Sequence, residues 1–368
     1  MKILIILDSL RIGGIERNAL DQAYQLRDSN NSGILLVLNQ SRTSTNANFV
    51  NTDKKLIEDK KVDIRYSAPG FFAKIKAVSK ILKTEDIDLV IDYSLIGCLV
   101  AQIAAVLATK QIVLNCVVQQ LASLSAPLQR YKRMFYAQFA TNLFMNSVNY
   151  GQDWSFYVNR NYINKIIFRK KFEIIRNGVY LPRLKNRNSS INHLNHSSYR
   201  FIFLGRLKYW KGINNFKYID SACDQKAHFQ IIASENEPNI VNDLKDIFGE
   251  RITFVLGKNL DHFNPQPGDI HIYPVDYGLN APAIESVSTN CLEMAMLGIP
   301  SLVTLGGTAN WLELKDCGFI HEVNWQSRES ILEGIESCRN LTVTHELLDK
   351  IAQAVDISNN LSLHSSYI

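Results

Sequence analysis

Apolar residues in this chain fall into two recurring patterns. Short unbroken runs occur at residues 2–7, Ile34–Leu38, Leu89–Ile91, Ile112–Leu114, Phe144–Met145, Phe201–Leu204, Phe229–Ile232, Ile252–Val255, Ile270–Tyr273 and Ser301–Val303. Runs of this length, apolar on both faces, fit strands buried in a parallel sheet. Between them lie stretches with helical spacing, such as Ile15–Leu26, where Ala19, Leu20, Ala23 and Leu26 share one face. The stretch Leu95–Leu107, with Gln102 inside it, predicts a buried helix. Strands alternating with helices argue for α/β architecture with parallel sheets.

The pattern repeats once. Residues 2–7 lead into Gly13-Gly14 and a helix, and Phe201–Leu204 leads into Gly205-Arg206-Leu207 and another helical stretch. Between the halves, Pro182–Arg200 is rich in Asn, Ser and His and has little apolar periodicity. The expected organisation is a domain over 1–182, a linker over 183–199, a second domain over 200–358 and a frayed polar tail over 359–368. In open α/β sheets ligands sit at the carboxyl ends of the strands. The loops after Leu7, Leu204 and Tyr273 should then face a cleft between the domains.

Composition narrows the class. The 368 residues are enough for two cores, and 46% hydrophobic with 20% charged residues is globular composition. No apolar run approaches the roughly 18 residues of a membrane span. The opening apolar run is too short for a secretory signal and lacks a small-residue cleavage site. Six cysteines, none in a CxxC pair, read as reduced thiols in a cytoplasmic protein. Charge is divided unevenly: residues 1–190 carry 27 basic and 14 acidic residues (27 − 14 = +13), and the rest carry 13 and 21 (13 − 21 = −8). A basic half suits an anionic partner. No nucleic-acid-binding module accompanies it, so nucleic acid is not an expected partner.

The most informative stretch runs from Glu285 to Pro300, with carboxylates at Glu285 and Glu293 and a helix expected from about Ser288–Asn290 to Gly298. Its N-terminus offers unpaired N–H groups to a phosphate. A plainer reading makes Asn290 the cap and Glu293 the other half of a capping box in the first turn.

The wider chain favours the first reading. Glu285-x7-Glu293, with Glu293-Met-Ala-Met-Leu-Gly-Ile-Pro-Ser-Leu-Val-Thr and then Gly306-Gly307, resembles the signature of the retaining GT-B glycosyltransferases of family 4. Phe203-Leu-Gly-Arg-Leu-Lys-Tyr-Trp-Lys-Gly212, Gly13-Gly14-Ile-Glu16 and Asn177-Gly-Val179 are similar to three further motifs of that family, in the same order. The resemblance implies two Rossmann-like domains and transfer of a sugar from a UDP- or GDP-linked donor, with no cofactor. By it, Arg206 and Lys211 would bind the donor diphosphate, Glu285 the donor sugar and Glu293 the ribose. Gly13, Gly14, Gly205, Asn290, Cys291 and Leu292 would complete the donor site. The acceptor would be a glycan or polyprenyl-linked glycan in bacterial surface polysaccharide or glycolipid synthesis. Fixed cations at the leaving phosphate lower the barrier to transfer.

Several positions depart from the family pattern. Ser286 follows Glu285 where Gly is usual, Tyr180 follows Asn-Gly-Val where Asp is common, and no His precedes His193. Asn115 or Gln119 would fill the place of the family's first-domain His. These departures keep two alternatives open, a non-catalytic partner of the same fold and a nucleotide-sugar epimerase. Phe71–Lys83 has Phe71, Ile75, Val78 and Leu82 on one face, and Arg130–Tyr136 forms a second basic and aromatic cluster. Phe71, Lys74, Lys76, Arg130, Lys132 and Arg133 are candidates for contact with the acceptor or with an anionic membrane at the inner face of the plasma membrane. Asp86-Ile-Asp88 has the form of a metal-binding D-x-D but reads as a solvated turn, so no metal is expected.

Overall fold

In a computed structural model the chain divides into two compact units, one holding the described residues up to Tyr180 and those from Ile357 on, the other Leu181–Asp356. The structure describes residues 1–10, 14–29, 31–39, 62–118, 127–145, 154–155, 158–159, 167–168, 170–184, 200–223, 227–257, 260, 263–275, 288–305 and 311–367. Glu285, Gly13, Gln119, Gly306, Gly307 and most of the expected linker lie outside them.

In the first unit the strands are β1 (Lys2–Leu7), β2 (Ser32–Val37), β3 (Asp63–Tyr66), β4 (Leu89–Asp92), β5 (Val113–Val118), β6 (Asn142–Met145) and β7 (Glu173–Ile174). They form one parallel sheet in the order β3-β2-β1-β4-β5-β6-β7. The order reverses direction at β1/β4, the kind of point where open α/β sheets bind ligands. The helices are α1 (Gly14–Asp28), α2 (Phe71–Thr84), α3 (Ile96–Ala108) and α4 (Pro127–Ala137). Right-handed crossovers lay α2, α3 and α4 side by side on one face of the sheet and α1 on the other. The apolar face expected on Phe71–Lys83 is covered: Ile75, Val78, Ile81 and Leu82 are buried as α2 packs on α3.

In the second unit the strands are β8 (Arg200–Leu207), β9 (His228–Asn236), β10 (Ile252–Leu256), β11 (Asp269–Tyr273), β12 (Ser301–Thr304) and β13 (Ile320–Val323). They form a parallel sheet in the order β10-β9-β8-β11-β12-β13. The helices are α5 (Phe216–Ala222), α6 (Pro238–Phe248), α7 (Thr289–Met296), α8 (Leu312–Asp316), α9 (Arg328–Arg339) and α10 (His345–Val355). Phe201, Phe203, Phe216, Phe229 and Phe248 anchor the core under α5 and α6, with the Phe216 and Phe229 rings stacked 5.2 Å apart. Ile270 and Ile272 join that core, so the alternation of β11 turns His271 and Tyr273 to the other face.

The stretch 359–368, expected to fray, instead belongs to a helix, α11 (Ser358–Ser365), that packs on α1 in the first unit. Its buried residues are Asn360, Leu361 and His364, mostly polar but three and four residues apart and so on one face. His364 is fully buried, its ring edge-on to Phe144 at 4.9 Å, and burial drops its pKa to about 3. Asn115 Nδ2 donates to the His364 carbonyl at 3.2 Å and lies 3.2 Å from its Nδ1, while Asn142 Nδ2 donates to Asn115 Oδ1 at 2.8 Å. Asn115, one of the two candidates for the place of the family's His, is fully buried within that network.

The Asn177-Gly-Val stretch forms a junction with α1 and α11. Asn18 Nδ2 donates to Asn177 Oδ1 at 2.9 Å, Ile357 N donates to the Val179 carbonyl at 3.1 Å, and Asn360 Nδ2 donates to the Arg176 carbonyl at 2.7 Å. Tyr180, unusual for the family, donates its amide to Asp21 at 3.3 Å and its hydroxyl to Asp28, and burial together with that carboxylate pushes its phenol up to about 12.

Candidate functional site

Four of the residues singled out in the sequence converge at the carboxyl end of β8. The strand ends on Gly205-Arg206-Leu207, and its register with β9 shifts between Gly205 and Leu207. Gly205 has φ 148, a conformation that side-chain-bearing residues rarely adopt. This irregularity places the half-buried Arg206 at the end of the sheet. A single 3-10 turn, Tyr209–Lys211, follows and closes on Gly212. Gly212 has φ 77, and a Cβ there would lie 1.6 Å from the Pro274 carbonyl oxygen, so only glycine fits. Asn215 Nδ2 donates to the same carbonyl at 3.0 Å, which ties the turn to the end of β11. On the outer side, Tyr209 donates its hydroxyl to Asp243 of α6 at 2.6 Å, and Lys208 pairs with Glu237 at 3.0 Å.

Lys211 is 9% exposed. Its Nζ donates to the Tyr273 hydroxyl at 3.1 Å and lies 4.3 Å from the Trp210 ring centre and 5.1 Å from that of Tyr273. The Arg206 guanidinium lies 5.8 Å from the same Trp210 ring. Two cations thus share one indole, and among the described residues no carboxylate pairs with Arg206.

The N-terminus of α7 joins the group. Its cap is Ser288, whose Oγ accepts from the Asn290 amide at 3.0 Å, rather than Asn290 as the plainer reading had it. Asn290 Nδ2 instead donates to the Leu204 carbonyl at 2.7 Å and so fixes α7 against the end of β8. Glu293 is the fifth helical residue, past the first turn, so no capping box forms; it is 4% exposed. Cys291 and Leu292, expected among the donor contacts, have fully buried side chains in the core, which leaves only their backbone for that role.

The other predicted positions lie in the first unit. Gly14 opens α1. Lys74 is buried, not presented on the outside, because it sits in the turn that packs with Ile75 and Val78. Phe71, Lys76 and Lys132 are exposed, Arg133 is half-buried with its pKa lowered by burial, and Arg130 belongs to α4. In the D-x-D, Asp88 accepts from the Lys2 amide at 2.7 Å, and the exposed Asp86 lies 3.7 Å from the Lys110 ammonium. Trp210 and Tyr273 are the residues that reading the sequence did not single out. Their signals were adjacency to Lys211 and a place at the end of a strand.

No family model matches the chain, and no curated protein matches it by sequence. Solved structures do resemble it. The Anabaena protein Alr3699/HepE, crystallised with UDP-glucose, superposes with a TM-score of 0.67 at 16% identity over 100% of this chain and 99% of that one. The lipopolysaccharide outer core galactosyltransferase WaaB gives 0.65 at 14% identity, with full coverage of both chains. Sucrose-phosphate synthase from Thermosynechococcus elongatus gives 0.69 at 11% identity over 100% and 98%. The two parallel-sheet α/β domains are those of the GT-B glycosyltransferase fold.

Proposed function

We propose that this protein is a retaining glycosyltransferase that moves a sugar from a nucleotide-diphosphate donor to a glycan or polyprenyl-linked acceptor. The observation that carries the reading is the pair Arg206 and Lys211, held against one indole at the carboxyl end of β8 beside the α7 N-terminus. The complexes of the HepE neighbour with UDP and UDP-glucose support a nucleotide donor. Arg206 would grip the diphosphate through two N–H groups and Lys211 would act as a point charge. Both stabilise the charge that develops on the leaving phosphate, the role a metal plays in other transferases. Glu293 would hold the ribose, and Glu285 the donor sugar.

The acceptor half of the reading rests on charge. Helices α2, α3 and α4 together carry seven basic residues (Lys74, Lys76, Lys80, Lys83, Arg130, Lys132, Arg133) and no acidic one. Phe72 at 84% and Leu128 at 81% exposure stand on the same layer. Among the described residues no helix is long and apolar enough to cross a membrane. A cationic layer with exposed apolar tips suits peripheral attachment to an anionic inner leaflet, where a lipid-linked acceptor resides.

The test is turnover. With a panel of nucleotide sugars and lipid-linked glycan acceptors, release of nucleoside diphosphate should require acceptor and fall at least ~100-fold in Lys211→Ala, as for loss of one preorganised group facing transition-state charge. Interconversion of the donor sugar without acceptor would replace this reading with epimerisation, and no turnover at all would favour the non-catalytic partner.

A further inference from the structure

The geometry points to Tyr273 and Trp210 as positioning residues that aim the Lys211 ammonium, an inference that rests on the donor-site reading above. A lysine on four methylenes is a mobile point charge, and holding it in one place costs rotamer entropy. Here two constraints act together. The Tyr273 hydroxyl accepts one of the ammonium hydrogens at 3.1 Å. The Trp210 ring lies 4.3 Å from the nitrogen, so its negative face stabilises the cation in place. The aromatic residues are themselves fixed. Tyr273 is 3% exposed at the last position of β11. Trp210 stands in the turn that Gly212 wedges against the Pro274 carbonyl and that Tyr209 bonds to α6. The Arg206 guanidinium lies 5.8 Å from the same ring centre, so Trp210 neighbours both cations. An ammonium aimed before the donor arrives costs no reorganisation when charge develops on the leaving phosphate.

The test is a double-mutant cycle read by calorimetric affinity for UDP, GDP and ADP and by melting temperature. In the wild-type background, Tyr273→Phe should weaken the nucleotide that binds by about 10-fold, the scale of one hydrogen bond to a charged group, with the melting temperature held. Trp210→Leu should weaken it further, and Trp210→Phe should restore part of the loss. In a Lys211→Ala background Tyr273→Phe should change affinity less than about 2-fold, because a positioning residue has nothing left to position. An equal loss in both backgrounds, or wild-type affinity in Tyr273→Phe, would overturn the inference while leaving the donor site standing. If the wild type binds none of the three nucleotides, the donor reading falls and this inference falls with it.

Discussion

At the scale of single residues, the site depends on one glycine as much as on its cations. Gly212 combines φ 77 with a Cβ position that would meet the Pro274 oxygen at 1.6 Å. Gly212→Ala should therefore destabilise the second unit by about 3 kcal/mol, the scale of a strained backbone plus a clash, and a lowered urea midpoint would show it. An unchanged midpoint would mean that the turn and β11 are not tied as described. The cations were legible in the sequence only through the resemblance of Phe203–Gly212 to a glycosyltransferase motif. Their support was not, because Trp210 is brought to Lys211 by a 3-10 turn and Tyr273 by strand pairing 62 residues away. Asn290 shows the same limit. Its composition says cap, but the nearer Ser288 takes the cap and frees Asn290 to bind across to Leu204.

At the scale of elements, apolar runs revealed the central strands, since a strand covered on both faces must be apolar throughout. Edge strands β3, β7 and β13 escaped because their burial is partial: Asp63–Tyr66 has no buried residue, and His321 and Glu322 interrupt β13. The last helix escaped for a different reason. Its buried face is made of Asn360, Leu361 and His364, and polarity hid the periodicity. That helix carries a pH prediction. His364 has a pKa near 3 in the folded protein, below the ordinary 6.5, because burial penalises its charged form. The unfolded chain therefore binds the extra proton, and the stability contributed by neutral His364 is present above pH 6.5 and lost as pH falls towards 3. Buried His271 has the same sign. Between pH 7.5 and pH 5 the melting temperature of His364→Gln should fall less steeply than that of the wild type. Parallel curves would show that His364 takes up no proton on unfolding.

At the scale of the whole molecule, the sequence showed a basic half and an acidic half, and the structure places part of the basic charge. Helices α2, α3 and α4 of the first unit carry seven basic residues and no acidic one, while α1 holds two basic and three acidic residues. The protein should float with vesicles rich in anionic lipid at low salt and release at high salt, since exposed charges are screened within about 10 Å at 0.1 M. Replacing exposed Lys76, Lys80 and Lys83 by Gln should reduce flotation, and indifference of the wild type to such vesicles would remove the membrane from the account. The central claim is the donor site, and thermal stabilisation by a panel of nucleotides and nucleotide sugars tests it most directly, on wild type and on Arg206→Ala. Ligand at about 100 times its Kd adds roughly 2.7 kcal/mol to the folded state. One nucleotide series should therefore raise the wild-type melting temperature by several degrees and leave Arg206→Ala unmoved. No stabilisation of the wild type by any of them, or equal stabilisation of both proteins, would contradict a diphosphate site at Arg206 and Lys211.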